Sequence, residues 1–436
     1  MSVDTASLFT AALGLVAPWR VSAFALSADK RRIDFTLSCA ATHVGCPRCG
    51  AACQPVHDRL SREWRHLDFF QYEAWLHADI PRVACRACGK TTQIDTPWAR
   101  PGSGFTLLFE ALAVALCQDM PVAPCSRLLR VNGARLWRSL DHYVHKARAQ
   151  DDMSGVRHIG IDETSTHKGH HYLTVVHDLQ TKRLLFATPG RDAGVVQSFT
   201  EDLRAHQGQP EHIEHVCMDM SRAYITGISQ ALPQAAICFD RFHVAVLAGA
   251  AMDAVRVEEI RADRYAFMEA FECAPGTLKP LLRALRWGTR RNPSGWSAEQ
   301  QAVMEALTHS RLKSARAWRL KMALQDVYAQ ARVHHCAQTA AGALKAWLAW
   351  AQRSRLEPFT KLARTIKTHW AGVVAGMTGG RNNAYVEAMN GLLQQAKVAA
   401  RGFRTTKNFI LIAYLRMAKL QHLPLNPFGQ TPPAKA

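Results

Sequence analysis

Acidic side chains are almost missing from the last part of this chain. From Pro358 to the C-terminus only one occurs, Glu387, in the stretch NNAYVEAMNGLL from Asn382 to Leu393. The chain's average acidity would place about six there. Long apolar runs are missing as well. None reaches the ~18–20 residues of a membrane-spanning helix, so a membrane-embedded protein is not expected. The N-terminal MSVDTASLFTAALGLVAPWR has no basic lead, so a secretory signal is not expected either. The expected location is therefore cytoplasmic. In that reducing compartment the 12 cysteines should be free thiols or metal ligands rather than disulfides. Internal repeats are absent, and low complexity is confined to the short Pro-containing tail after His422.

Positive charge is what the chain has in excess. Lys and Arg number 54 against 35 Asp and Glu, a formal charge of +19. This predicts a polyanionic partner, nucleic acid before an anionic membrane surface. With 48% hydrophobic residues the chain is globular, and 436 residues suffice for about two to four domains.

Two motifs, CPRCG with Cys46 and Cys49 and CRACG with Cys85 and Cys88, each read Cys-x-x-Cys-Gly. The spacing turns both sulfurs of a tight turn toward one ion, and the glycine supplies the positive φ. Two such turns predict a structural four-thiolate zinc site in a ribbon; a disulfide pair fits a reducing compartment poorly. Cys39 and Cys53 are alternate ligands or, without the paired spacing, small core residues.

MPVAPCSRLLRVNGARLWRSLDHYVHKAR reads as a helix from Met120 to Arg130, a turn at Val131-Asn132-Gly133, and a helix from Ala134 to about Lys146. That is the pattern of a helix-turn-helix or of an ordinary helical hairpin. Arg135, Arg138 and His142 share one polar face suited to a DNA groove, while Leu136, Leu140 and Tyr143 face a core.

Short apolar runs then alternate with amphipathic stretches. IGIDETS carries Asp162 on a strand, where Glu163 must point to the opposite face. EHVCMDMS and PQAAICFDRFH end strands at Asp219 and Asp240. Three strands ending in carboxylates suit a cation site or, taken singly, solvated turns. Read as a helix, Asn383, Glu387, Asn390 and Gln394 form one polar stripe extended by Lys397 and Arg401. Val386, Met389 and Leu393 form the apolar one. A lone carboxylate on that stripe could join Asp162 and Asp219 around one or two Mg²⁺ ions for phosphoryl transfer, or pair with a nearby base.

With these motifs in place the chain resembles, over nearly its whole length, the bacterial insertion-sequence transposases of the ISL-three group. CPRCG and RVACRACG resemble that family's zinc finger, followed by a helix-turn-helix. IGIDETSTHKGHHYLTVVHDLQTKRLL, MDMSRAYITGISQALPQAAICFDRFHV and NNAYVEAMNGLLQQAKVAARGFR resemble its three catalytic blocks. Asp162, Asp219 and Glu387 thereby match the catalytic triad, with Asp240, His243, Asn383 and Asn390 as accessory positions. Ala384, Ala388 and Val398 depart from the family's pattern. The resemblance implies a multidomain α/β fold, a ribonuclease-H-like mixed sheet with a large all-helical insertion. The implied segments are a zinc ribbon (1–100), a helix-turn-helix (101–150), a first catalytic part (151–243), the insertion (244–378), and the Glu387 helix with the tail (379–436).

It further implies a DNA transposase with two Mg²⁺ ions per site, Mn²⁺ being an alternative, and structural Zn²⁺. Its partners would be double-stranded transposon ends and target DNA. It would act as a homodimer or larger assembly in the bacterial nucleoid. The helical segment 241–380 holds 21 Lys and Arg against 10 Asp and Glu, so it could touch DNA too. In RWGTRRNPSGW, Arg290 and Arg291 are DNA-contact candidates beside Trp287 and Trp296, which stack on a base or pack in a core. Lys397, Arg401 and Arg404 are further candidates. A non-catalytic regulator descended from a transposase, and a structure-specific nuclease on the same fold, are the alternatives.

Overall fold

A computed structural model describes residues 4–167, 169, 171–272, 278–334, 336–378 and 384–429. Two compact units emerge, one comprising Met1–Arg148 with Leu420–Ala436, the other Ala149–Lys419. Among the described residues no helix is long and apolar enough to cross a membrane.

The first unit is more than a zinc turn. Strands β1 (Trp19–Ser27), β2 (Arg32–Cys39), β3 (His43–Val44), β4 (Gln54–Arg65), β5 (Glu73–Ala84) and β6 (Thr91–Gln93) form one sheet, ordered β1-β2-β5-β4-β3 with β6 on β5. Period-two alternation buries Ile33, Phe35 and Leu37 of β2 with Ala74, Leu76, Ala78 and Ile80 of β5. Each such large side chain contributes roughly 1.5–3 kcal/mol. Trp19, Trp64 and Trp98 complete this core. Cys39 is buried as expected, but Cys53 is exposed at φ 52°, so it is not a core residue.

Three helices follow, Leu107–Asp119, Val122–Leu128 and Gly133–Arg148. The middle one is shorter than expected, because Met120 ends the preceding helix and Pro121 precedes Val122. These helices are welded to the sheet. Glu110 is fully buried and accepts from Arg100 at 2.9 Å, Ser103 at 2.9 Å, Ser139 at 2.8 Å and Tyr143 at 3.0 Å. A buried charge held by that many donors is satisfied rather than strained.

In the second unit β7 (His158–Ser165), β8 (Tyr172–Asp178), β9 (Arg183–Pro189), β10 (His215–Met218) and β11 (Ala236–Phe239) form a sheet ordered β11-β10-β7-β8-β9. β8 pairs antiparallel with both β7 and β9, whereas β10 is parallel to β7 and β11 to β10. Ile159 and Ile161 share a core with Phe199, Leu203, Tyr224 and Ile228 from helices Gly194–Ala205 and Arg222–Ala231. The alternate residues of β7, Asp162 and Thr164, bond to helix Ala384–Ala399 instead.

Between β11 and that helix stand helices from Arg241–Ala262 to Trp370–Thr378. The last of them returns onto β11 through Gly372 and Gly376. A Cβ on Gly372 would stand 2.6 Å from the Phe239 ring, and one on Gly376 2.1 Å from the Phe239 carbonyl oxygen. Only glycine permits so close an approach, and it brings the chain back to the carboxylate end of the sheet.

Candidate active site

β7 carries Asp162. The parallel register sets Cys217 beside Gly160 and Met218 beside Phe239. Asp219 and Asp240, which follow β10 and β11 directly, therefore stand level with Asp162 on three neighbouring strands. Asp240 also caps helix Arg241–Ala262: its Oδ1 accepts from the Phe242 N–H at 3.1 Å. Its Oδ2 is buried and has no hydrogen-bond partner among the described residues.

Helix Ala384–Ala399 forms because Val386, Met389 and Leu393 recur at helical spacing; Val386 and Leu393 are fully buried. It ends where Arg401 and Gly402 take positive φ, 57° and 92°. Its polar stripe lies along β7. Asn390 donates to Asp162 Oδ2 at 2.7 Å, Gln394 to Thr164 Oγ1 at 2.6 Å, and Lys397 to the Ser165 carbonyl at 2.7 Å. One ligand atom each from Asp240, His243 and Glu387 lies within 4.8 Å of the others. Asp219 is outside that trio and makes its charge felt at Asp162 and Glu163. Asn383 lies outside the described residues.

The electrostatics call for a cation. Burial, then the Asp240 and Asp162 charges, push the Glu387 carboxyl above its usual range, against the pull of His243. Burial likewise raises Asp162, with Asp219 adding to it, while the Glu163 N–H, His243 and Asn390 work the other way. Crowded carboxylates and an orphaned buried oxygen are the donor set a hard divalent ion takes. Glu163 points to the other face, as strand geometry requires. Burial raises its carboxyl too, opposed by a hydrogen bond from Tyr224.

The four zinc-spaced cysteines also converge. Cys46 and Cys88 sulfurs are 3.9 Å apart, Cys49 and Cys85 3.5 Å, and all four lie within 4.8 Å of one another. Zn–S bonds of ~2.3 Å in a tetrahedron require sulfurs about 3.8 Å apart. Gly50 and Gly89 take φ of 75° and 65°, closing both turns. The Cys49 and Arg48 backbone amides pull the Cys46 thiol down to about 7. Although the Ala51 amide opposes it, the neighbouring Cys85 thiol pushes Cys49 up to about 12.

Several expected DNA contacts are engaged elsewhere. Arg135 donates to the Gly104 carbonyl at 2.8 Å and lies over the Phe105 ring at 4.0 Å. Arg290 is paired with Asp253, its Nε at 3.0 Å. Lys397 pins its helix to β7, as above. These three are anchors, because each charged head meets a partner its sequence neighbours do not supply. Arg138, His142, Arg401 and Arg404 are exposed, although Arg401 lies past the helix end and does not continue the stripe. Arg291 sits over Trp287 at 5.6 Å. Trp296 donates to the Gly288 carbonyl at 2.9 Å and packs against Trp318, so it is a packing residue. Sequence reasoning missed Lys279 and Arg283, which line a groove with Trp287 and Arg291. Their four-residue spacing with Trp287 and Arg291 was the available signal.

Comparison with known proteins bears on this arrangement. Residues 159–413 match the ISL3 DDE family model described as Transposase. Residues 94–144 match the helix-turn-helix domain of transposase family ISL3. Residues 43–88 match the zinc-finger of transposase IS204/IS1001/IS1096/IS1165. The transposase for insertion sequence element IS1557 of Mycobacterium tuberculosis (strain ATCC 25618 / H37Rv) is 29% identical over 408 residues, covering 88% of this chain and 87% of that protein. The transposase for insertion sequence element IS1001 of Bordetella parapertussis is 27% identical over 389 residues, covering 87% and 90%.

Proposed function

The chain belongs to the ISL3 family of insertion-sequence transposases, and from that premise we propose that Asp162, Asp219 and Glu387 are its catalytic carboxylates. It is a DNA-cleaving enzyme with a zinc-ribbon and a helix-turn-helix domain for DNA. The strand order and the single switch from antiparallel to parallel pairing support a ribonuclease-H-like reading of the catalytic sheet, split between 151–243 and 379–436 by the insertion 244–378. Segments 1–100 and 101–150 would recognise the terminal repeats together, and the Glu110 network that joins them supports this.

The observation that carries the assignment is the bond between Asn390 and Asp162, which brings the Glu387 helix to β7. Asp162, Asp219 and Glu387 would hold two Mg²⁺ ions, Mn²⁺ being able to replace them, with Asp240 and His243 as further ligands beside Glu387. Ions so bound would activate the attacking oxygen and stabilise the leaving one. Asn390 orients the Asp162 carboxylate. Arg138, His142, Arg291, Arg401 and Arg404, joined by Lys279 and Arg283, would draw in the phosphodiester backbone. Cys46, Cys49, Cys85 and Cys88 would hold Zn²⁺. Handling two ends at once favours a dimer or larger assembly on DNA, at the nucleoid.

The test is incubation of the full chain with Mg²⁺ and duplexes carrying the flanks of its own coding region, with products sequenced. Nicks at the element boundary and joined products are expected. Asp162→Ala, Asp219→Ala and Glu387→Ala should each abolish both while end binding stays within about twofold. Cleavage at the unaltered rate by all three variants would defeat the assignment.

A further inference from the structure

Beside Glu387 and Asp240 opens a half-open pocket of about 390 Å³, walled by helices Arg241–Ala262 and Lys313–His334. Such a volume is at the small end of organic-ligand sites, ~300–1,000 Å³. It is far too small for duplex DNA and roomy enough for one nucleobase. Its walls are of mixed character. Phe242 lines it with 54% of its surface exposed. Ala245 and Ala248 follow on the same wall and leave space beside the ring. Asn292 and Gln325 supply amide donors and acceptors. Tyr328 contributes a buried hydroxyl that has no hydrogen-bond partner among the described residues.

The pocket's lysine does not make it a phosphate site. Lys321 Nζ donates to the Thr289 carbonyl at 2.5 Å and lies over the Trp318 ring, so its charge is already engaged. Besides Arg241 and the Asp240 and Glu387 carboxylates at its mouth, the lining offers an aromatic face, amide edges and a hydroxyl unpaired among the described residues. Those are the features that hold a base outside its stack: a flat ring for its π-face and hydrogen-bonding groups for its edge.

We propose that this pocket receives one base, turned out of the duplex next to the phosphate under attack, stacked on Phe242 and held at its edge by Asn292 and Gln325. The inference rests on the phosphoryl-transfer reading of the carboxylates, since it is they that bring a phosphate to the pocket's mouth. Nucleotides are spaced ~3.4 Å along a strand, so a neighbour of the reacting phosphate reaches the mouth but enters only by leaving the helix. Removing its base stack also frees the backbone to bend toward Glu387. Phe242 is thus a positioning residue for the DNA.

The experiment uses the full-length protein and the duplex ends described above, with 2-aminopurine placed singly at each of the positions flanking the nick. In the cleavage-dead Asp162→Asn protein, one position should brighten severalfold on binding, and Phe242→Ala added to that background should abolish the rise. In the otherwise unaltered protein, Phe242→Ala should slow nicking about tenfold, the scale of one lost base–aromatic stack. An abasic site at the bright position should restore the rate, and Phe242→Tyr should retain it. Because Phe242 is exposed, its substitution tests the pocket without emptying a core. Nicking by the unaltered protein with no bright position, or a Phe242→Ala defect that an abasic site leaves unchanged, would overturn the pocket alone. Failure of the unaltered protein to nick would overturn the carboxylate assignment and this inference with it.

Discussion

Asn390 and Asp162 are 228 positions apart in the chain and meet at 2.7 Å, amide nitrogen to carboxylate oxygen. The bond does two things. It ties the helix that bears Glu387 to the central strand of its sheet, and it opposes the upward push that burial gives the Asp162 carboxyl.

Asn390→Ala should therefore act on chemistry more than on folding. A hydrogen bond to a charged group is worth ~1.5–3 kcal/mol, or roughly tenfold to 150-fold in rate. Single-turnover cleavage should fall by at least about tenfold and the Mg²⁺ requirement should rise, with gel-shift affinity for ends unchanged. An unaltered rate at limiting Mg²⁺ would show that the bond does not orient Asp162.

The crowded carboxylates give a pH signature. Asp162 and Glu387 both have folded-state values raised above the ordinary ones. The folded state thus binds their protons more tightly than the unfolded one. The stability this contributes is complete below the ordinary carboxylate range and is lost as pH rises through the raised values. Metal-free protein should accordingly lose thermal stability as pH climbs from the carboxylate range toward neutrality. Asp162→Asn and Glu387→Gln should each raise Tm at neutral pH without metal and shrink the stabilisation Mg²⁺ confers. A lower Tm for both, measured by calorimetry without metal, would contradict the crowding.

The thiolate cluster gives a third expectation. Cys46→Ser should release the zinc, since three sulfurs no longer close a tetrahedron, and should lower the stability of the first unit. Metal analysis and circular dichroism on the full chain measure both. Retained zinc at one ion per chain with an unchanged melting curve would show that the sulfurs converge for another reason.

Legibility in the sequence followed the range of the interactions. The two Cys-x-x-Cys-Gly turns are local, so spacing sufficed to foresee their geometry, Gly50 and Gly89 included. The opposite facing of Asp162 and Glu163 follows from the strand period. The apolar stripe of Val386, Met389 and Leu393 likewise announced a helix. Arg135, Arg290 and Lys397 looked equally free on their helices, yet each finds a partner brought in by folding, a carbonyl or Asp253. Trp287 and Trp296 read alike as letters, and only packing separates the half-exposed ring from the one bonded to Gly288.

The sequence by itself determined that the chain is basic and thiol-clustered, with carboxylates at strand ends and one more on a distant helix, because charge, ligand spacing and hydrophobic period are written residue by residue. Only the tertiary structure decided that Asp240 and His243 stand beside Glu387, that Asn390 meets Asp162, and that Phe242 lines a pocket beside them. Those relations depend on strand register and on how closely Gly372 and Gly376 let a returning helix approach Phe239, and such distances between remote segments are set by packing the whole unit at once.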